Sequence, residues 1–268
     1  MHIHFLDPYQ KGNSLVHRTD ARVKLVLALV FISTTALIPI GAWQLYLLML
    51  MLVISLEILS GVALGYFLKR SSLAIPFILA ALPLLFTVPG SKLLSFALGS
   101  WRISASIPGV ERFASIALKS WISVHMAILL TVTTEFPDIL VAMRALRTPR
   151  VLVTIFGLMW RYLFVFSDEA LRLMRARASR SGAADVPGLR PGGTIAWRAQ
   201  TAGGMVGNLF VRSLERSERI YAAMLARGYD GEIRSLAQEA LDTVDWVILA
   251  SGGGILGLVL LLSGLMSR

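Results

Sequence analysis

The sequence predicts an all-α integral membrane protein with about five transmembrane helices, plus long amphipathic helices on the cytoplasmic side. Three observations predict this class. Hydrophobic residues make up 56% of the 268 residues, and the mean hydropathy is +0.69. Charged residues make up 16%, whereas soluble domains contain about 25%. Apolar runs of about 20 residues, the length that crosses a bilayer, recur along the chain.

The apolar runs define the predicted helices in chain order. The predicted spans cover 23–40, 43–61, 71–88, 113–134 and 244–266. Pro76 and Pro83 predict kinks in the third span, because proline removes a backbone donor from the helix. Residues 89–112 read as a loop or short surface helix, with Trp101 as an interfacial anchor. The expected organisation is therefore four spans over 1–134, cytoplasmic helices over 135–240 and a final span over 241–268.

The distribution of arginine predicts the orientation. Of 21 arginines, 15 lie between Glu135 and Ala240, together with ten acidic residues and no lysine. This mixture of charges argues against a nucleic-acid-binding polycation. Arg18, Arg22 and Lys24 at the start of the first span place the N-terminus in the cytoplasm. Four crossings then return the chain to the cytoplasm, and the last span leaves the C-terminus outside, as expected for a multi-pass inner-membrane protein.

The run from Val151 to Phe166 is the ambiguous element of this topology. It contains 16 residues and is interrupted by Arg161, which makes it short for a span. We therefore expect it to lie in or just under the membrane interface. If it crossed instead, every segment after it would change sides.

Two short arginine signatures lie in the cytoplasmic block, Ser179-Arg180-Ser181 and Ala226-Arg227-Gly228. Each ends a helix-compatible stretch. Pro149 suits a first helical turn, so one helix should run from near Thr148 to about Arg180, with Ser181-Gly182 as its stop. Gly228 supplies a residue that tolerates positive φ, and this predicts the end of the second helix.

The second helix is amphipathic at about 100° per residue. One arc carries Phe210, Leu214, Ser217, Tyr221, Met224 and Leu225. The opposite side carries Arg212, Glu215, Arg216, Glu218 and Arg219. The spacing predicts ion pairs between Arg212 and Glu215 and between Glu215 and Arg219.

The two arginines admit two interpretations. A cation on the last turn of a helix is commonly an ordinary end residue, because the helix dipole favours it there. Two such arginines with small neighbours also suit the docking of a partner, since guanidinium donates bidentately to carboxylates and carbonyls.

Other chemistry-bearing residues give weaker signals. His2 and His4 could hold a metal ion only loosely, so no metal site is predicted. Glu57, Lys119 and His125 lie in or near spans, where ionisable residues are functional by default, although they could equally face other helices. The chain has no cysteine and no Walker A sequence, so any ATPase must be another chain. No cleaved signal peptide is apparent.

The chain resembles the transmembrane T component of energy-coupling-factor (ECF) ABC importers, most closely the cobalt/nickel, CbiQ-type branch. Residues 14–24 are similar to the family's Ser-x-x-His-Arg-x-Asp-x-Arg-x-Lys opening. Two cytoplasmic stretches carry the rest of the match. They are Arg161-Tyr162 with Asp168-Glu169-Ala170, Arg172 and Arg175-Ala176 leading to Arg180, and Arg216-Ser217-Glu218-Arg219 followed by residues 223–229.

The resemblance implies a non-catalytic membrane coupling subunit. Its partners would be a cytoplasmic ABC ATPase dimer, which holds the ATP-Mg, and a substrate-binding membrane subunit, all within the lipid bilayer. The ATPase-docking residues would be Ser179, Arg180, Ser181, Ala226, Arg227 and Gly228, with Arg177 as a rival first arginine. Arg161, Glu169, Arg216 and Glu218 would support the helices. The chain itself would need no cofactor.

The coupling motifs leave the cargo open. Cobalt or nickel is the first expectation, and a vitamin importer is the alternative within the same class. In a different class, the chain could be an intramembrane enzyme that uses His125, Lys119 and Glu57.

Overall fold

The computed structural model describes residues 8–98, 101–180, 194–231 and 240–266, and for residues 92–105 the backbone alone. The fold is mainly α-helical and divides into two compact units, 1–145 with 239–268 and 146–238. The first unit contains nine helices, α1 (Leu15–Arg18), α2 (Ala21–Leu37), α3 (Trp43–Ser60), α4 (Leu64–Ser71), α5 (Ile75–Leu79), α6 (Leu84–Thr87), α7 (Ile107–Thr133), α8 (Phe136–Ala145) and α11 (Thr243–Met266), within the described ranges. The second unit contains α9 (Arg150–Arg180) and α10 (Ile195–Ala226).

The polar residues of the opening motif act as helix caps. The Ser14 hydroxyl accepts a hydrogen bond from the backbone N–H of His17 at the start of α1. The Asp20 carboxylate accepts one from the backbone N–H of Arg22, at 2.7 Å, at the start of α2. Caps of this kind satisfy backbone donors that have no partner inside the helix.

The predicted third span begins earlier than expected and is interrupted. The apolar stretch runs over Leu64–Thr87, and it consists of α4, a 3₁₀ turn at Ser72–Ala74, α5 and α6. Regular helix is lost between Leu79 and Leu84, and Pro83 stands just before α6. The predicted effect of the prolines is confirmed.

A β-hairpin corrects the prediction for residues 89–112. Strands β1 (Lys92–Leu98) and β2 (Trp101–Ser106) pair antiparallel, with Leu98 opposite Trp101. The prediction of a loop or short surface helix was wrong here. Gly99-Ser100 between two runs of strand-forming residues is the signal that could have identified the hairpin. The side chain of Trp101, the predicted anchor, lies outside the described side chains.

Five stretches of the described residues are long and apolar enough to cross a membrane, namely Trp43–Ser60, Leu64–Thr87, Ile107–Thr133, Arg150–Arg180 and Thr243–Leu265. Four of them correspond to the second to fifth predicted spans. The first predicted span is α2, whose 17 residues stand at the lower end of the spanning range of about 17–25. The remaining stretch is α9, which the sequence places at the interface. The chain is a multi-pass membrane protein.

The first unit has a continuous apolar core. Its most completely buried side chains include Phe31, Tyr46, Met49, Phe67 and Val259. They come from α2, α3, α4 and α11, and Ile122 of α7 joins the same cluster. The core therefore ties together helices that are far apart in the sequence.

Polar groups inside the first unit have specific partners. Lys119 Nζ donates to the carbonyl oxygen of Ala36 at 3.0 Å and also to that of Ile38, at the end of α2. A cation there satisfies carbonyls that lack helical partners and complements the helix dipole. Elsewhere in the core, His125 Nδ1 lies 2.7 Å from Glu57 Oε1, and both side chains are almost fully buried.

Candidate functional site

The second unit is an antiparallel pair of long helices. Glu169 of α9 contacts Arg212 and Arg216 of α10. Towards the end of α9, the Arg177 guanidinium lies over the ring of Trp197, 5.8 Å from its centroid. Residues later in α9 therefore contact residues earlier in α10, so the two helices are antiparallel.

Glu169 clamps the middle of this helix pair. Its two carboxylate oxygens each accept a hydrogen bond at 3.3 Å, one from Arg212 Nη1 and the other from Arg216 Nη2. The Arg216 guanidinium also lies over the ring of Phe166, 5.7 Å from its centroid. Charge-assisted bonds and cation–π contact both orient guanidinium groups. Glu169 and Arg216 therefore connect α9 and α10.

The face of α10 that meets α9 is mixed. Arg216 is half-buried there together with Leu209, Ile220 and Met224, whereas Glu215, Glu218 and Arg219 are exposed. Phe210, Leu214, Tyr221 and Leu225 each expose about half of their surface or more. The predicted ion pair between Glu215 and Arg219 is present at 3.9 Å. The predicted pair between Arg212 and Glu215 is not found among the described contacts, because Arg212 contacts Glu169 instead.

The end of α10 is a left-handed glycine stop, as predicted. Gly228 has φ +77°, and Arg227 is the residue between it and the last helical residue, Ala226. The backbone N–H of Gly228 donates to Leu225 O, and that of Tyr229 donates to Met224 O, both at 3.0 Å. These two bonds form a Schellman motif, which fixes the direction of the chain at this point.

An open cleft of about 680 Å³ lies beside this stop. Its lining includes Arg161 and Tyr162 from α9 and Arg227, Tyr229 and Asp230 from the other side. Arg161 and Arg227 are both exposed. Two guanidinium groups at one apolar-walled cleft suit the capture of a carboxylate or backbone carbonyl from another chain.

The first signature lies at the opposite end of the pair. Arg180 is the last residue of α9 and is exposed. Ser179 is exposed as well, and its hydroxyl donates to Ala176 O at 3.0 Å. Ser181, the third residue of the signature, lies outside the described residues.

The two signatures are widely separated. Arg161 lines the same cleft as Arg227, and Arg180 follows Arg161 by 19 residues on one continuous helix. At 1.5 Å per residue, the two arginine ends lie about 28 Å apart along the helix axis. Each end can therefore contact a different partner surface.

Some predicted residues are brought together and others are not. Glu218 is exposed and, within the described part of the chain, has no ion pair. Arg212, Phe166 and Tyr229 contribute contacts that the sequence reasoning did not assign. The i, i+4 spacing of Arg212 and Arg216 is the signal that they share one helix face, although it does not reveal Glu169 as their common partner.

The alternative catalytic set is not assembled. Glu57 and His125 form a buried pair, whereas Lys119 binds the carbonyls of Ala36 and Ile38. No single site therefore brings the three side chains together. His2 and His4 lie outside the described residues.

Comparisons with known proteins point to one family. The family model described as CbiQ, cobalt transport protein, matches residues 12–238. An uncharacterized protein of Methanocaldococcus jannaschii is 27% identical over 253 residues, covering 91% of this chain and 82% of that protein. The ECF transporter transmembrane protein EcfT of Lacticaseibacillus paracasei is 29% identical, covering 96% and 97%. The cobalt transport protein CbiQ of Rhodobacter capsulatus is 28% identical, covering 59% and 61%.

Proposed function

Because the chain belongs to the CbiQ cobalt transport protein family, we propose that it is the membrane coupling subunit of an ATP-driven ECF-type importer. One observation carries the mechanism. The second unit is a pair of helices joined through Glu169, with an exposed arginine at each end, Arg180 at one and Arg227 at the other. In this proposal, each end docks on one member of a cytoplasmic ABC ATPase dimer, and the helices transmit the ATPase motion to a substrate-binding membrane subunit.

The contacts of Arg177 support Arg180 as the first docking arginine. Arg177 lies over Trp197, within the helix pair. Arg180 comes three residues later, at the exposed end of α9. An arginine already engaged on its own chain loses those contacts when it turns to a partner, whereas Arg180 can dock without disturbing the helix pair.

The charges of α10 support an interfacial position for α9. Five charged residues of α10 lie near the second half of the apolar run of α9. They are Arg212, Glu215, Arg216, Glu218 and Arg219. If α9 crossed the bilayer, these charges would be drawn towards hydrocarbon. Each would cost about 2.5–3.5 kcal/mol at the bilayer centre on insertion scales. The proposed topology therefore has five crossings, a cytoplasmic N-terminus and an inner-membrane location.

The exposed apolar arc of α10 supports a role in which this helix contacts further partners. Phe210, Leu214, Tyr221 and Leu225 are exposed in the single chain. Contiguous exposed apolar residues mark contacts with proteins or lipids. The substrate-binding subunit and the bilayer are the proposed neighbours. The ATP-Mg belongs to the ATPase, and the chain itself holds no cofactor in this proposal.

Cobalt is the proposed cargo, with nickel next. The family description and the Rhodobacter relative name cobalt transport. The EcfT relatives, which carry no metal in their names, cover more of the chain, and a vitamin importer is therefore the alternative. Uptake of labelled Co²⁺, Ni²⁺ and vitamins by the purified complex in vesicles separates the three.

Co-purification from native membranes tests the docking role. The tagged wild-type chain should bring down an ATPase with a Walker A sequence. The Arg180→Glu, Arg227→Glu double variant should lose it, because carboxylates replace both guanidinium groups, and uptake should fall to background. Arg219→Glu is the matched control, since Arg219 is an exposed arginine on the same helix pair, 70% accessible.

The outcomes are distinct. Recovery of the same ATPase with the double variant, at wild-type yield and with normal uptake, contradicts the proposal. Loss of the ATPase in Arg219→Glu as well would indicate a non-specific charge effect rather than docking at the two ends. Partner binding that does not change with added nucleotide would instead favour a scaffold that binds a cytoplasmic protein without ATP turnover.

A further inference from the structure

The first unit contains an open pocket of about 800 Å³. It lies at the end of the unit where α2 and α11 begin and where α3 and α7 end, because its lining residues come from those helix ends. The volume falls within the range of roughly 300–1,000 Å³ in which proteins hold small ligands. The transport proposal assigns no role to this pocket.

The walls of the pocket are apolar. They are formed mainly by leucine and isoleucine side chains, namely Leu27, Leu56, Leu59, Leu129, Leu130 and Ile248. Met126 also lines the pocket and lies seven residues before Thr133, near the end of α7. The apolar wall therefore extends roughly 10 Å from the rim along the helix axis. This depth suits part of an alkyl chain.

The rim carries charges of both signs. Arg18 and Lys24 provide two cations, and Asp242 and Asp245 provide two carboxylates. All four lie within one turn of a helix end. The apolar wall begins about one helical turn deeper in the pocket. A pocket that changes from charged to apolar over this distance matches an amphiphile oriented across a membrane surface.

Each rim group retains hydrogen-bonding capacity. Lys24 Nζ donates to Thr133 O at 2.9 Å and to His17 O at 3.5 Å, and an ammonium group has a third donor. Arg18 Nε donates to Asn13 Oδ1 at 3.0 Å, and a guanidinium group has four further N–H donors. Asp242 Oδ1 accepts from the backbone N–H of Thr243 at 2.7 Å, and Asp245 Oδ1 accepts from that of Asp20 at 3.2 Å. Within the described residues, the second oxygen of each carboxylate has no hydrogen bond. The Asp242 contact is to the first residue of α11, and the Asp245 contact joins α11 to the residue before α2. Both contacts leave the second carboxylate oxygen for a ligand.

We propose that this pocket binds one phospholipid whose headgroup contains both a phosphate and a primary ammonium, as in phosphatidylethanolamine. An acyl chain lies along the apolar wall, Arg18 and Lys24 bind the phosphate, and Asp242 and Asp245 accept from the ammonium. A lipid with only negative charge would meet the two carboxylates unfavourably. A choline headgroup has no N–H to donate to them.

Native mass spectrometry of the delipidated full-length chain in detergent tests this proposal. Phosphatidylethanolamine, phosphatidylcholine and phosphatidylglycerol with identical acyl chains are added in separate titrations. We expect one molecule per chain, and about tenfold tighter binding of phosphatidylethanolamine than of the other two, equivalent to roughly 1.4 kcal/mol.

Variants separate headgroup recognition from chain binding. Asp242→Asn with Asp245→Asn should abolish the preference for ethanolamine over choline and strengthen phosphatidylglycerol binding. Arg18→Gln should weaken all three lipids. Leu59→Trp should occupy the wall and prevent binding; Leu59 is 52% exposed, so the fold should tolerate the larger side chain. Asp168→Asn, an exposed carboxylate outside the pocket, is the control and should behave as wild type.

Several results would overturn the proposal. Equal binding of the three lipids would do so, as would a preference that survives the double asparagine variant. Wild-type lipid binding by Leu59→Trp would place the lipid elsewhere. If the asparagine variant fails to fold, the Arg18→Gln and Leu59→Trp results decide, because neither change removes a contact made by Asp242 or Asp245.

Discussion

The two compact units differ in how completely they bury their apolar side chains. In the first unit, Phe31 and Met49 are essentially inaccessible and belong to one continuous core. In the second unit, Phe210 and Leu214 of α10 expose about half of their surface or more. Apolar side chains are also exposed in the first unit, where Phe77 is 80% exposed. The first unit therefore combines an internal core with an apolar surface, whereas no hydrophobic residue described in the second unit is fully buried.

The polar contacts of the two units differ in the same way. Glu57 and His125 are 2% and 5% exposed, and their contact is short, at 2.7 Å. Glu169 is 19% exposed, and its two arginines are 54% and 31% exposed. Water screens the second set of contacts and not the first, so the two sets contribute unequally to stability. Variants at both sites measure this difference.

The largest effect is expected from Glu57→Ala. Removing the Glu57 carboxylate leaves the buried Nδ1 of His125 without a hydrogen-bond partner, which costs about 1–3 kcal/mol. The truncated side chain also leaves a cavity, which adds to this loss. His125 Nε2 already has no hydrogen-bond partner among the described residues. Without Glu57, neither ring nitrogen of His125 would have a partner there. Unfolding of the purified protein by denaturing detergent, followed by circular dichroism, measures the loss.

A double variant controls for the volume change at this site. Glu57→Leu with His125→Leu replaces the pair by apolar side chains, and such replacements are often neutral or stabilising. We expect its stability to be restored to at least the wild-type level. A single variant as stable as wild type would show that the pair does not contribute to the packing of α3 against α7.

A smaller effect is expected from Glu169→Gln. This change removes the charge that holds Arg212 and Arg216, each at 3.3 Å. Partly exposed pairs contribute about 0.2–1 kcal/mol each, so the local stability of the helix pair should fall by about 1 kcal/mol. Hydrogen exchange of α9 and α10 should accelerate several-fold, while exchange in α3 and α7 stays unchanged. Equal acceleration in α3 and α7 would mean that the two units do not unfold independently.

Local sequence signals predicted the helices of the second unit well. Pro149 and Gly228 marked a start and a stop, and the helices Arg150–Arg180 and Ile195–Ala226 agree with them. Such signals act through the backbone of a few neighbouring residues. The same reasoning predicted four of the five candidate spans from their apolar length.

The sequence did not predict which face of α10 meets α9. Helical periodicity groups Arg212 with Arg216 and Phe210 with Leu214, but it does not identify the neighbour of either group. The apolar arc would be the usual packing face in a soluble protein. Here Glu169 and Phe166 of α9 contact Arg216, which is half-buried on a mixed face with Leu209 and Ile220. The contacting residues are more than 40 positions apart.

The hairpin of β1 and β2 was missed for a related reason. Its residues read as an irregular connection between two spans, and strand pairing depends on a partner segment as well as on propensity. Gly99-Ser100 was the local signal for it, but the apolar residues around it are equally compatible with a surface helix.

The last comparison concerns two glycines of the second unit. Gly228 has φ +77°, where an L-residue with a Cβ is strained by about 1–2 kcal/mol. Gly228→Ala should therefore fray the last turn of α10 and displace Arg227. Gly207 lies inside α10, and a Cβ there would meet open space. Gly207→Ala should stabilise the helix by up to about 1 kcal/mol, because alanine is the better helix former.

Hydrogen exchange at residues 220–229 distinguishes the two variants. Gly228→Ala should accelerate the exchange, and Gly207→Ala should slow it or leave it unchanged. The transport proposal adds a consequence for function. A stop weakened by about 1 kcal/mol would reduce ATPase docking several-fold, because 1.4 kcal/mol corresponds to a factor of ten. If Gly228→Ala frays the helix but ATPase recovery does not change, Arg227 does not need its fixed position, and the docking role at this end would have to be abandoned.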